Sequence, residues 1–238
     1  MLIRVPVRRI LSLFIALCIA FAVILTARAV QAHITGGLQP RNEPVIIIDA
    51  GHGGFDGGAV AQDGTVEKVL NLQIAQKLQQ HFHAAGFQTI MVRDTDCAYR
   101  TDASQGIRAA KVADMKGRLE LLNRYNHSVF LSIHLNKYPS AQPRGAQVFY
   151  APGVPQALPL AESIQSAIAD MVQPENQRKV KAGTKDTYLL YHAENPALII
   201  ECGFLSNPQE LALLQRDDYQ GRLAFAIFCG FLNNFYQK

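Results

Sequence analysis

Val45-Ile46-Ile47-Ile48-Asp49-Ala50-Gly51-His52-Gly53-Gly54 holds the key to the architecture. The β-branched apolar run Val45–Ile48, bounded by Pro44 and by glycines, offers no polar face to water, so it predicts a strand buried on both sides. Strands of that kind lie in parallel sheets covered by helices, and the flanking sequence supplies them. Leu70, Ile74, Leu78 and Phe82 recur every four residues and predict a helix from Val66 to about Ala85, capped by Thr65 and stopped by Gly86. Phe87–Val92 reads as a second strand. A polar connector, Asp94 to Lys111, leads to a helix with Val112, Met115, Leu119 and Leu122 on its inner face, then to a strand over Val129–Leu135. A strand over Gly145–Tyr150, a helix over Leu158–Met171 and a polar loop over Gln173–Thr187 follow, then a short strand over Tyr188–Tyr191 and the apolar run Ala197–Glu201. Asn207-Pro208-Gln209-Glu210 has the form of a capped helix start with proline in its first position. Asp217 or Asp218 opens a last helix, ending near Phe235. The expectation is one α/β domain over residues 44–238, with a mostly parallel central sheet and helices on both faces.

Composition agrees with a globular body: of 238 residues, 49% are hydrophobic and 18% charged. The formal net charge of +4 comes from Arg4, Arg8, Arg9 and Arg28; removing these four from the 23 basic residues leaves 19, equal to the 19 acidic ones. A neutral body lacks the clustered cations that displace counterions from phosphates, so nucleic acid is excluded as a partner. Three of those arginines precede the uncharged run Ile10–Ala27. As a helix that run would rise roughly 27 Å, a little short of a bilayer crossing. Residues 1–32 are read as a signal peptide or membrane anchor, with small residues at Ala27, Ala29 and Ala32 as cleavage sites, and residues 33–43 as a linker. The flanking charges place the N-terminus in the cytoplasm, so the body is exported to the extracytoplasmic space, and it meets the membrane only through an uncleaved leader. Cys18 lies inside the leader. Cys97, Cys202 and Cys229 permit one disulfide at most, and the last two sit in apolar contexts suited to buried free thiols.

The glycine-rich turn after the first strand is not a phosphate loop: Asp56 stands where the dinucleotide fingerprint needs glycine, and no Gly-Lys-Ser/Thr follows. What remains is His52 at the carboxyl end of a core strand, the edge at which open α/β sheets bind ligands. His134 ends its own strand in the same way. Glu67 shares the helix face of Leu70, Asn71, Ile74 and Leu78, where a carboxylate is costly unless something compensates it. Two neutral imidazoles and a carboxylate form a usual zinc-hydrolase ligand set. Singly, each has a plainer reading, as a hydrogen-bonded strand-end histidine or an acid complementing a helix dipole. His33, His81, His83, His127 and His192 keep that plainer reading. Glu201 ends the run Ala197–Glu201, a place that suits a general acid-base with a raised pKa. The alternative is a carboxylate paired with Arg93 or Arg118.

Taken together, Ile48-Asp49-Ala50-Gly51-His52-Gly53-Gly54, Glu67 opening a helix, Ser132-Ile133-His134-Leu135-Asn136 and Glu201-Cys202-Gly203-Phe204-Leu205-Ser206-Asn207 resemble the zinc-dependent N-acetylmuramoyl-L-alanine amidases in order and spacing, from about Pro44 to Tyr236. The resemblance implies that His52, Glu67 and His134 hold Zn2+ and that Glu201 is the catalytic carboxylate. The substrate it implies is peptidoglycan, cut between the lactyl group of N-acetylmuramic acid and L-alanine. Gly145–Tyr150, Tyr188-Leu189-Leu190 and the short leader look most like the germination-specific branch of spore-forming bacteria. That branch acts with a muramic acid deacetylase in making the lactam of spore cortex, and recruitment by a spore-envelope lipoprotein is implied as well. Two other functions fit the same residues: a zinc peptidase cutting the stem peptide, and an anchored wall-binding module without turnover.

Overall fold

The computed structural model describes Phe21, Thr26 and residues 43–100 and 106–236. Apart from those first two residues and Glu43, the expected leader (1–32) and linker (33–43) lie outside the described residues. No described helix is long and apolar enough to cross a membrane. The unit that begins at Pro44 is built on a six-stranded sheet.

The apolar run forms β1 (Val45–Ala50), and Ile46, Ile47, Ile48 and Ala50 are fully buried, as a strand covered on both faces must be. Helix α1 (Glu67–Ala84) follows, then β2 (Thr89–Met91), α2 (Ile107–Leu122), β3 (Ser128–Asn136) and β4 (Gln147–Tyr150). The chain continues through α3 (Ala157–Met171), β5 (Lys181–Ala182), α4 (Tyr188–Tyr191), β6 (Ala197–Phe204), α5 (Pro208–Leu214) and α6 (Asp217–Tyr236). The strand order is β2-β1-β3-β6-β4-β5. The first four are mutually parallel, β4 runs antiparallel to β6, and β5 is parallel to β4. Helices α1, α3 and α6 pack together as one layer, while α2 packs on β3 and α4. The core joins the strand interiors to Ile74, Leu78, Phe82, Ile164, Leu223 and Phe231.

Several local expectations change. Helix α1 has Val66 at its N-cap with no side-chain capping bond, so Thr65 does not cap it; its hydroxyl instead accepts from Gln215. Val112 and Met115 are exposed on α2, whose buried residues are Ala110, Gly117, Arg118, Leu121 and Leu122. Apolar periodicity misplaced that face because its principal buried member is an arginine held by ion pairs. The helix also begins at Ile107, inside the expected connector. Tyr188–Tyr191 is one helical turn rather than a strand, with Leu189 and Leu190 turned inward. Strand β4 starts two residues later than expected, and the loop after α3 contains the two-residue β5. Asn207 does cap α5, its Oδ1 accepting from the Gln209 and Glu210 amides with Pro208 at the first helical position. All three cysteines of the body are free: Cys97 exposed, Cys202 buried as expected, Cys229 only half-buried.

Candidate metal centre

Sheet register assembles the site. Asp49 on β1 lies opposite Ser132 on β3, His134 opposite Glu201 on β6, and Glu201 opposite Gln147 on β4. Directly opposed residues project from the same face of a sheet. The result is two successive polar rungs on one face, Asp49–Ser132 and then His134–Glu201–Gln147, at the carboxyl edge of the parallel strands, the edge predicted to carry ligands.

His52 follows β1 in a left-handed backbone conformation, φ 64°, uncommon for a residue with a side chain. Two buried guanidinium groups hold that turn. Arg93 donates to the Ala50 and Gly51 carbonyls at 2.8 and 3.0 Å. Arg118 donates to the His52 carbonyl at 2.8 Å, pairs with Asp114 at 2.7 Å, and forms a short ion pair with Asp49. Ser132 Oγ donates to the other Asp49 oxygen at 2.6 Å. Neither arginine hydrogen-bonds Glu201, which closes the alternative raised for that residue. Gly51 is required by close approach: a Cβ there would overlap the His134 ring. Gly58, at φ +68°, leaves room for His52 and Glu67 in the same way.

Glu67, 3% exposed, lies between the imidazoles. Its Oε2 is 3.3 Å from His52 Nε2, and its Oε1 is 3.0 Å from His134 Nδ1. The amides of Ala59 and Leu135 and the Asn71 side chain donate to it at 2.8, 3.1 and 3.1 Å. Burial opposes ionisation of Glu67, but the bonds to His134 and His52 outweigh it and hold the carboxyl well below the usual carboxylate range. For His52 burial likewise favours the neutral ring. Its bonds to Glu67 and Asp56 prevail, and its pKa is pushed up to about 9.

His52, Glu67 and His134 each offer a ligand atom within 4.8 Å of the others, so the three could hold a metal ion. The donor set suits a divalent cation of mixed nitrogen and oxygen preference. The surroundings agree: three carboxylates, Asp56, Glu67 and Glu201, crowd two imidazoles, and among the described residues no lysine or arginine bonds Glu67. Glu201 completes the group beside His134. One of its oxygens is buried without a hydrogen-bond partner, and burial together with the nearby Glu67 charge raises its pKa. A buried carboxylate left with an unbonded oxygen is poised to take a proton.

All four candidate residues from the sequence therefore converge. The other described histidines do not: His81 stacks near Phe228, His83 bonds Thr89, His127 precedes β3, and His192 packs on Tyr188 and Tyr191. Sequence reasoning missed Asp56, Asn71 and the Arg93–Arg118–Asp49 clamp. The available signal was Asp114 one turn before Arg118, a helical ion pair sharing a face with Leu121 and Leu122.

Residues 46–233 match the family model described as N-acetylmuramoyl-L-alanine amidase. The chain belongs to that family of amide hydrolases. Among individual proteins, the germination-specific N-acetylmuramoyl-L-alanine amidase of Bacillus subtilis (strain 168) is 33% identical over 199 residues, covering 84% of this chain and 83% of that one. The structure of the CwlD amidase from Clostridioides difficile, solved in complex with the GerS lipoprotein, matches with a TM-score of 0.79 and 35% identity, covering 82% of this chain and 100% of that one. AmiC2 of Nostoc punctiforme matches with a TM-score of 0.69 at 26% identity, over 82% of this chain and 98% of that one.

Proposed function

We propose that the body, residues 44–238, is an exported zinc amidase that cleaves the bond between the lactyl carbonyl of N-acetylmuramic acid and the amine of L-alanine in peptidoglycan, in the formation of spore-cortex muramic lactam. His52, Glu67 and His134 are the proposed zinc ligands, and Glu201 the proposed catalytic acid-base. The observation that carries the reading is the placement of Glu201, with its unpartnered buried oxygen, directly opposite His134 in the sheet.

A zinc ion held there supplies Lewis acidity toward the carbonyl and a lowered pKa for water. The residues supply the proton traffic. Glu201 takes a proton from the attacking water at its carboxylate oxygen and returns it to the departing alanine nitrogen, which could not leave as an anion. Its raised pKa favours the first transfer, since a more basic carboxylate takes the water's proton more readily and holds it until the amine departs. Glu67, held ionised, does not share that duty. The leader and linker, residues 1–43, serve delivery and anchorage. A spore-envelope lipoprotein and a muramic acid deacetylase acting in the same pathway belong to this reading, supported by the germination-specific relative and by the lipoprotein complex of the structural one.

The test is digestion of purified peptidoglycan, with and without chelator, and mass spectrometry of the products. A new amine on L-alanine and a free lactyl carboxyl, both lost on chelation, are expected. New amines within the stem peptide would instead identify a peptidase. Zinc-dependent binding without cleavage would identify a wall-binding module.

A further inference from the structure

We propose that Asp56 and Lys111 are positioning residues through which α2 sets the metal affinity of His52. The proposal rests on the ligand reading above.

Asp56 stands on the glycine-rich turn four residues after His52. Its Oδ2 lies 2.9 Å from His52 Nδ1, and its Oδ1 accepts from Lys111 Nζ at 2.9 Å and more distantly from the Gly58 amide. Paired backbone bonds between Gly53 and Asp56, at 2.9 and 3.1 Å, fix the carboxylate relative to the ring. Lys111 and Arg118 are seven residues apart on α2, two helical turns, and so lie on one face. Arg118 grips the His52 carbonyl, and Lys111 grips the carboxylate that holds the His52 ring. One helix thus restrains the same histidine at its backbone and at its side chain.

The chemical consequence is a choice of nitrogen. With its Nδ1 proton donated to Asp56, neutral His52 keeps its lone pair on Nε2, the atom that faces Glu67 Oε2 at 3.3 Å. An imidazole without that partner is free to flip, or to carry its proton on the nitrogen that should bind the metal. Neither Asp56 nor Lys111 belongs to the three-residue ligand cluster, so both act through His52. Carboxylates in this relation to a metal-bound histidine are generally worth about 10- to 100-fold in metal affinity.

The experiment measures zinc affinity by competition with a chromophoric chelator for the full chain and for Asp56→Asn, Asp56→Leu and Lys111→Met. Long-range proton–nitrogen NMR of the zinc-loaded protein reports which His52 nitrogen carries hydrogen. Asp56→Leu should bind zinc about 10- to 100-fold more weakly. Asp56→Asn, which keeps an oxygen acceptor, should recover part of that loss, and Lys111→Met should lose less than Asp56→Leu. Excess zinc should restore most of the turnover of Asp56→Leu, which it would not do for a residue that itself moves protons. Unchanged affinity in a folded Asp56→Leu, with the Nδ1 proton still in place, overturns the proposal. If Asp56→Leu does not fold, Lys111→Met decides, and wild-type affinity there overturns it. A wild-type chain that takes up no zinc overturns the ligand reading itself, a separate and recognisable failure.

Discussion

Glu67 and Glu201 are both carboxylates beside His134, yet their oxygens keep opposite company. Glu67 is saturated with donors and stays ionised, whereas one Glu201 oxygen is buried with none. Glu67→Gln should therefore lose zinc and activity together. Glu201→Gln should retain zinc and lose at least about 100-fold in turnover. Because a Glu with a raised folded-state pKa costs stability once ionised, Glu201→Gln should also raise the melting temperature of the metal-free protein at neutral pH. Zinc content by atomic absorption, turnover of purified peptidoglycan and thermal melts at pH 7 together check these outcomes. A Glu201→Gln protein that turns over normally would remove the residue from the mechanism. His52 gives a pH signature of opposite sign. Its folded-state pKa of about 9 lies above the unfolded value of 6.5, so its contribution to the metal-free fold is complete below pH 6.5 and is lost as the pH rises through 9. Metal must displace that proton, so zinc binding near pH 7.5 should release a proton from His52. Calorimetry in two buffers of different ionisation enthalpy measures the release, and zinc uptake with no proton release would contradict it.

At the level of elements, the central strands β1, β3 and β6 were readable, though not their boundaries, because a run such as Val45–Ile48 has one physical use. The capped start of α5 was readable too, since Asn207 and Pro208 each have a mechanism there. Asn207→Ala should cost about 1 kcal/mol, or about 2–4 °C in melting temperature for a chain of this size. The inner face of α2 was not readable from apolar spacing. Its interior is ionic, with Arg118 and Asp49 side chains at 3% and 1% exposure, and a charge enters a core only when a partner from elsewhere in the chain meets it. That partner is 69 residues away in sequence. Arg118→Met should leave Asp49 buried without its cation and cost about 3–5 kcal/mol. Denaturant unfolding measures it, and a loss below about 1 kcal/mol would mean that the ion pair is dispensable. The single turn at Tyr188–Tyr191 was likewise illegible, because four apolar and aromatic residues fit a strand or a helical turn equally well.

The candidate site at the scale of the whole molecule was legible as a set of residue types and strand ends. Its convergence was not, because that depends on strand order: β1, β3 and β6 are neighbours in space though distant in sequence. The proposed boundary at Pro44 makes a direct prediction. A protein of residues 44–238 should fold cooperatively and bind zinc with the affinity of the longer chain, whereas an insoluble product would move the boundary. The same separation has a temporal consequence. Glu67 and His134 are 67 positions apart, so an extended chain offers only isolated donors, and the cost of closing so long a loop must be met before a multidentate site exists. A polypeptide delivered unfolded would travel empty, and the ions available where it finally folds, rather than those where it was synthesised, would determine what it carries.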